Sequence, residues 1–189
     1  MPSTFVTECL SHSNHCMRAK DMTKKYEVRD HLLYVDDCPV AQYPAPDHGG
    51  RITPTLIVIH YTATKSLSSP LGWLTRKDDT PVSAHLIVDK DGSVYQLVPF
   101  NVAAWHAGKS WYNGRSGVNS FSIGIENVGT GDFWPATQVE ANRAIIEALF
   151  LAYPIEDVVG HEDIATPVGR KSDPGPYYPW DKVTTEVEV

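Results

Sequence analysis

The sequence predicts a single α/β domain in which a mixed central β-sheet is flanked by helices. Two patterns predict it: short apolar runs rich in β-branched residues recur along the chain, and one longer segment carries small and apolar residues at helical spacing. The composition agrees, because a chain of 189 residues with 42% hydrophobic content can bury a core without disulfides or a second domain.

Strands are predicted at residues 55–60, 84–89, 94–98, 122–127 and 157–160. Asp91-Gly92, between the second and the third of these strands, is typical of a tight hairpin turn. Helices are predicted at residues 70–76 and 137–153. The second helix is expected to end before Pro154, because proline cannot continue a helix.

The segment GHEDIATPVGRKSDPGP, residues 160–176, places a histidine and a carboxylate in one turn-rich loop. A catalytic zinc ion usually takes three protein ligands and leaves a fourth position for water, so His161 and Asp173 require one more ligand. His60 is the best candidate because it ends the predicted strand TLIVIH, where a rigid support leads into a loop. Taken alone, His60 is equally consistent with a buried structural histidine.

These segments belong to an ordered set, VIHYTA, SAHLIVDKDGSVYQLVPF, AWHAG, FSIGIENVG and GHEDI…GRKSDPGP, within residues 55–180. The set resembles the zinc-dependent N-acetylmuramoyl-L-alanine amidases of the amidase-2 type, which are related to phage lysozyme-like amidases and peptidoglycan recognition proteins. Five blocks in the right order are far more specific than any single motif. The glutamate in IGIE and the ending KSDPGP make the chain resemble the branch of the cytosolic anhydro-muropeptide amidases and their envelope relatives.

The resemblance implies an enzyme that hydrolyses the amide bond between N-acetylmuramic acid and L-alanine in peptidoglycan or its muropeptide fragments, with Zn²⁺ as cofactor. It implies His60, His161 and Asp173 as zinc ligands, and Glu126 and Lys171 as catalytic residues. Two neutral imidazoles and one carboxylate leave a net positive metal centre, which can activate water at neutral pH.

Glu126 lies in the alternating segment SIGIENVG, where Ile123 and Ile125 share one face of the strand and Glu126 takes the other. An unpaired carboxylate among apolar neighbours is costly to bury, so we expect Glu126 to act as general base and then as general acid. Lys171 is expected to stabilise the oxyanion that develops on the scissile carbonyl. Outside this motif, a loop lysine would be read as a solvated surface residue.

The loop between two of the expected ligands departs from the family pattern. It spans 173 − 161 = 12 positions, two more than the pattern, and the extra residues fall around 166–168. A loop insertion costs little free energy, so the ligands are still expected to converge. The resemblance also places AWHAG along the substrate groove, with Trp105 and His106 as substrate-binding residues, while His85 is expected to have a structural or supporting role.

Four segments are predicted along the chain: a disordered tail at 1–21, an N-terminal extension and connecting loop at 22–54, the zinc amidase catalytic domain at 55–182, and a C-terminal tail at 183–189. The first segment is polar, and its two histidines and two cysteines match no standard zinc spacing. It also lacks the pattern of a secretory signal.

The charge and cysteine content restrict the partners and the location. A net charge of −7 argues against binding to nucleic acid or to an anionic membrane, and no apolar run is long enough for integral membrane association. Three cysteines form no even disulfide framework, which favours the cytoplasm. A phage lysin that acts in the periplasm after release is the alternative. We expect a monomer whose partner is peptidoglycan or a muropeptide.

A non-catalytic module that binds peptidoglycan or muropeptide is the alternative function. Loss of one metal ligand would favour it, because binding alone does not require a complete catalytic centre. Here all three expected ligands occur together with Glu126 and Lys171. The sequence therefore favours the enzyme.

Overall fold

The computed structural model describes residues 24–77, 79 and 81–184. Its strands are β1 (Tyr26–Arg29), β2 (Leu32–Val35), β3 (Cys38–Pro39), β4 (Ala41–Gln42), β5 (Leu56–Tyr61), β6 (Leu86–Val88), β7 (Val94–Gln96), β8 (Trp111–Tyr112), β9 (Arg115–Ser116), β10 (Ser122–Asn127) and β11 (Asp157–Gly160). Its α-helices are α1 (Ser68–Leu74), α2 (Ala136–Ala152), α3 (His161–Ile164) and α4 (Trp180–Val183). The predicted tail at 1–21 and most of the predicted tail at 183–189 lie outside the described residues.

A six-stranded mixed sheet forms the centre of the fold, in the order β11-β5-β10-β6-β7-β4. β5 pairs in parallel with both β10 and β11, β10 pairs in parallel with β6, and β6 and β7 form the antiparallel hairpin around Asp91-Gly92. This arrangement confirms the predicted fold class. The five predicted strands and two predicted helices all occur, with ends shifted by no more than two residues.

The two faces of the central sheet carry different side chains. Ile57 and Ile59 of β5 and Ile123 and Ile125 of β10 lie in one apolar cluster with residues of α2. The intervening Val58 belongs to a second cluster on the opposite face. Because side chains alternate along a strand, the residue that follows Ile59 in β5 and the residue that follows Ile125 in β10 also point away from α2. This alternation places His60 and Glu126 on the face opposite the helix.

α2 also contributes two buried polar side chains that hold the strand ends. Gln138 donates a hydrogen bond from Nε2 to the carbonyl of Val88, 3.0 Å away. Asn142 donates to the side-chain oxygen of Asn127 at 2.7 Å, and Asn127 in turn donates to the carbonyl of His60 at 3.1 Å. The helix thereby fixes the end of β5. Among the described helices, none has the length and apolarity needed to cross a membrane.

A three-stranded antiparallel sheet, β1-β2-β3, packs against α2 within the segment predicted as an extension and loop. Its turns are Asp30-His31 and Asp36-Asp37, and all four residues have positive φ, as a two-residue hairpin turn of type I′ requires. Gln96 of β7 ties this sheet to the central one: its Oε1 accepts a hydrogen bond from the backbone N–H of Leu33 at 2.8 Å. The alternating segments YEVR and LLYV were the signal in the sequence for these strands.

Candidate metal centre

Three expected ligands meet at one edge of the central sheet. His60 is the fifth residue of the six-residue strand β5, and His161 follows directly after the neighbouring parallel strand β11. The carboxyl ends of parallel strands meet at the same edge of a sheet, which brings these two side chains together. Asp173 reaches them from the loop after α3, where its carbonyl accepts a hydrogen bond from the backbone N–H of Glu162 at 2.9 Å.

The donor atoms of the three residues form a nearly equilateral triangle, which we call the donor triangle. Nδ1 of His60, Nδ1 of His161 and Oδ2 of Asp173 lie 3.0 Å from one another. All three side chains are buried. Burial, the largest influence, lowers the pKa of His60 to about 4, so its imidazole is neutral at pH 7.

The donor triangle fits a metal ion in both chemistry and size. Two imidazole nitrogens and one carboxylate oxygen are a common ligand set for zinc. Ligand atoms about 2.0 Å from a tetrahedral zinc ion lie about 3.3 Å from one another, which is close to the separations found here. His161 donates from Nε2 to the carbonyl of Ala107, 3.2 Å away, so its Nδ1 presents a lone pair to the triangle. His60, His161 and Asp173 could therefore hold a metal ion.

Glu126 lies beside the donor triangle, because β10 pairs with β5 in the register that places Glu126 opposite His60. Its side chain is buried, and within the described part of the chain its Oε2 has no hydrogen-bond partner. Burial raises the pKa of Glu126 to about 8; the negative charge of Asp173 acts in the same direction, and the positive charge of Lys171 opposes it. The carboxyl group is therefore mostly protonated at pH 7 in the metal-free protein.

The donor triangle opens into a cavity of about 360 Å³. Glu126 and Lys171 line this cavity, and so do Trp105 and His106. The structure thus brings all seven predicted site residues to one place. The contact of Trp105 and His106 with substrate stays a prediction.

The extra residues in the long loop between His161 and Asp173 lie largely in solvent. Val168, within the two-residue excess, is 96% exposed. Arg170 ties the loop down: its guanidinium donates hydrogen bonds to the carbonyls of Thr166, Ala107 and Lys109 at 3.1, 3.0 and 2.8 Å. The extra residues therefore leave the two ligands in contact.

Sequence reasoning missed two residues next to the site. One is Arg170, whose contacts with the loop could not be read from a motif. The other is Ser122, whose hydroxyl oxygen lies 3.1 Å from Nε2 of His106. Its signal was the alternation in SIGIE, which puts Ser122 on the same face of β10 as Glu126. His85, expected to be structural or supporting, accepts a hydrogen bond from the backbone N–H of Gly124 and contacts the carbonyl of Val102.

The family model described as N-acetylmuramoyl-L-alanine amidase, amidase-2, matches residues 50–176. The chain is 36% identical over 167 residues to the 1,6-anhydro-N-acetylmuramyl-L-alanine amidase AmpD of Enterobacter cloacae, a match that covers 74% of this chain and 85% of that protein. It is 45% identical over 102 residues to AmpD of Escherichia coli K12, which covers 52% of this chain and 55% of that protein. The chain therefore spans about half the length of the E. coli relative.

Solved structures agree with the sequence matches. A crystal structure of a selenomethionine AmpD derivative superposes with a TM-score of 0.71 at 33% identity, covering 76% of this chain and 92% of that one. The E. coli amidase AmiD, solved with the substrate anhydro-N-acetylmuramic acid-L-Ala-D-γ-Glu-L-Lys, superposes with a TM-score of 0.61 at 30% identity, covering 84% of this chain and 64% of that one. The family match covers more than half of the chain, and the fold agrees with it. The chain therefore belongs to the amidase-2 family of N-acetylmuramoyl-L-alanine amidases.

Proposed function

We propose that this protein is a zinc-dependent amidase that cleaves the bond between the lactyl group of N-acetylmuramic acid and L-alanine of the stem peptide. The observation that carries the proposal is the donor triangle with the buried Glu126 beside it, open to one cavity. Family membership supports the same reaction. The names of the relatives favour muropeptides with a 1,6-anhydro sugar as substrate, and polymeric peptidoglycan is the other source of the same bond.

His60, His161 and Asp173 are proposed to hold the ion. When bound, zinc supplies a Lewis acid that polarises an amide carbonyl and lowers the pKa of water. Zinc suits these residues because two neutral imidazoles and one carboxylate leave the centre with a net positive charge.

Glu126 is proposed to transfer the proton. It accepts a proton from the water that attacks the carbonyl carbon, and it donates that proton to the nitrogen of L-alanine as the C–N bond breaks. The products are the lactyl carboxylate and a stem peptide with a free amino group. Burial raises the pKa of Glu126 to about 8 in the metal-free protein, and a bound cation would lower it, which suits a group that must both accept and donate a proton near neutral pH.

Lys171 is proposed to stabilise the negative charge that develops on the carbonyl oxygen. Its ammonium lines the same cavity as Glu126 and is close enough to influence the pKa of both Glu126 and His60. A cation that is already in place before the reaction stabilises a developing oxyanion without reorganising solvent.

The test is hydrolysis of a purified anhydro-muropeptide, followed by mass spectrometry. Native protein is compared with chelator-treated protein, with the same protein after zinc is restored, and with Glu126→Ala. The exposed Glu156→Ala is the matched control. We expect release of free stem peptide that chelation abolishes, zinc restores and only Glu126→Ala removes. Binding of intact muropeptide by the zinc-loaded protein without cleavage would instead favour the peptidoglycan-binding module.

A parallel incubation with polymeric peptidoglycan would separate the two substrate sources. The cytoplasmic location and the monomeric state stay predictions, which cell fractionation and light scattering would test.

A further inference from the structure

A line of hydrogen bonds runs through His106 to the donor triangle. Nδ1 of His106 lies 3.0 Å from Nε2 of His60, and Nε2 of His106 lies 3.1 Å from the hydroxyl oxygen of Ser122. Ser122 also contacts the carbonyl of Val118 at 2.7 Å. Each member of this line is at hydrogen-bond distance from the next.

The direction of every bond in this line follows from the carbonyl at its end. A carbonyl oxygen can only accept, so Ser122 must donate its single hydroxyl proton to Val118. The Ser122 oxygen is then left as an acceptor for Nε2–H of His106. A neutral imidazole with a proton on Nε2 has a lone pair on Nδ1, so His106 accepts a hydrogen bond from Nε2–H of His60.

The consequence reaches the metal site. With its proton on Nε2, His60 presents the lone pair of Nδ1 to the donor triangle. The carbonyl of Ala107 fixes the same tautomer for His161. The three ligand atoms of the donor triangle are then all hydrogen-bond acceptors, and no proton lies between them. They are 3.0 Å apart, an arrangement of lone pairs that a cation would stabilise.

Two contacts hold His106 in this position: one is between its ring and the backbone of Gly124, and the other is between its backbone N–H group and the side chain of Asn119. A Cβ atom on Gly124 of β10 would lie 2.4 Å from Cγ of the His106 ring, so the ring rests directly on the glycine backbone. The side-chain oxygen of Asn119 accepts hydrogen bonds from the backbone N–H groups of His106 and Ala107 at 3.1 and 2.8 Å. The same asparagine thus orients the residues behind both histidine ligands.

We propose that Ser122 and His106 are positioning residues that fix the Nε2–H tautomer of His60 and so prepare its Nδ1 as a metal ligand. This inference rests on the metal centre of the proposed function, and it does not depend on which bond the enzyme cleaves. Ligating histidines usually donate their second N–H to a carboxylate, a carbonyl or water; here the acceptor is another imidazole.

The competing role for His106 is contact with substrate, as the family resemblance implies. The two roles predict different effects on metal affinity, which can be measured without substrate. A substrate contact changes KM and leaves metal affinity unchanged, whereas a positioning residue changes metal affinity in the absence of substrate.

The first experiment measures Zn²⁺ affinity by competition with a chromophoric chelator, for folded wild type, His106→Leu, His106→Asn and Ser122→Ala. Loss of the acceptor in His106→Leu is expected to weaken zinc binding about 10- to 100-fold. His106→Asn is expected to retain most of the affinity, because its side-chain oxygen can accept the proton in place of Nδ1. The zinc affinity of Ser122→Ala is expected to lie between those of His106→Leu and His106→Asn. The exposed His48→Leu is the matched control and is expected to bind zinc like wild type.

The second experiment reads the tautomers directly in unaltered protein, which removes any dependence on the folding of a variant. Two-bond ¹H–¹⁵N spectra of the metal-free protein at pH 7.5 are expected to show both His60 and His106 protonated at Nε2.

A proton on Nδ1 of His60 would overturn the proposal, as would wild-type zinc affinity in His106→Leu. Absence of zinc binding by wild type would overturn both this proposal and the proposed function. Zinc binding that requires His106 without muropeptide cleavage would support this proposal while the amidase activity fails.

Discussion

Replacement of Glu126 by glutamine should stabilise the metal-free protein increasingly as pH rises. Burial raises the pKa of this carboxyl group from its usual 4.5 to about 8. Between these two values the unfolded chain releases a proton that the folded protein retains, so the folded state loses stability as pH increases. The contribution of Glu126 to stability is therefore fully present below pH 4.5 and is lost as pH rises toward 8. Glutamine, which does not titrate, removes this pH dependence.

The magnitude follows from the same two pKa values. The interval from 4.5 to about 8, at about 1.4 kcal/mol for each pH unit, gives a total of about 5 kcal/mol. Between pH 5 and pH 7.5, the free energy of unfolding of Glu126→Gln should rise relative to wild type by about 3 kcal/mol. Glu126 is only 8% exposed, so solvent screens this effect little.

Urea unfolding of chelator-treated protein at several pH values measures this difference. Exposed Glu156 provides the matched control, because its replacement by glutamine makes the same chemical change at a side chain that lies in solvent. Curves for wild type and Glu126→Gln that stay parallel from pH 5 to pH 7.5 would refute the argument. Restoring zinc should reduce the difference, since a nearby cation favours the carboxylate form.

Lys171→Met should lower kcat for muropeptide hydrolysis about 100- to 1,000-fold by removing the cation near the developing oxyanion, while metal analysis shows an unchanged zinc content. Gly124→Ala should destabilise the protein by about 1–3 kcal/mol in urea unfolding, because the added methyl group overlaps the ring of His106 at 2.4 Å. Ile145→Ala, on the buried face of α2, should cost about 2–5 kcal/mol in the same assay. It should leave the zinc affinity of the folded protein unchanged, because α2 lies across the sheet from the donor triangle.

The local pattern was sufficient to place the strands and their faces. The alternation of SIGIE put Glu126 on the face opposite Ile123 and Ile125, and the contacts of those isoleucines with α2 agree with it. The strands at 122–127 and 157–160 have the predicted ends. These features depend on neighbours within a few residues, so the sequence contains what determines them.

The N-terminal sheet shows where the local pattern was too short to interpret. β1 and β2 have four residues each, and their turns are Asp30-His31 and Asp36-Asp37 rather than the more recognisable Asn-Gly. A segment this short is stabilised by its packing against α2 and by the side chain of Gln96 from β7. Neither partner is adjacent in sequence.

The sequence by itself determined which residue types were available for a metal centre, the order of the blocks that carry them, and the strands that support them. Only the tertiary structure decided that His60 and His161, 101 positions apart, meet with Asp173 at 3.0 Å, and that His106 lies behind His60 against Gly124. The periodicity of apolar residues in a strand or helix predicts only the direction in which each side chain leaves its own backbone. Distances between side chains on different strands depend on sheet order, register and close packing, which no local pattern encodes.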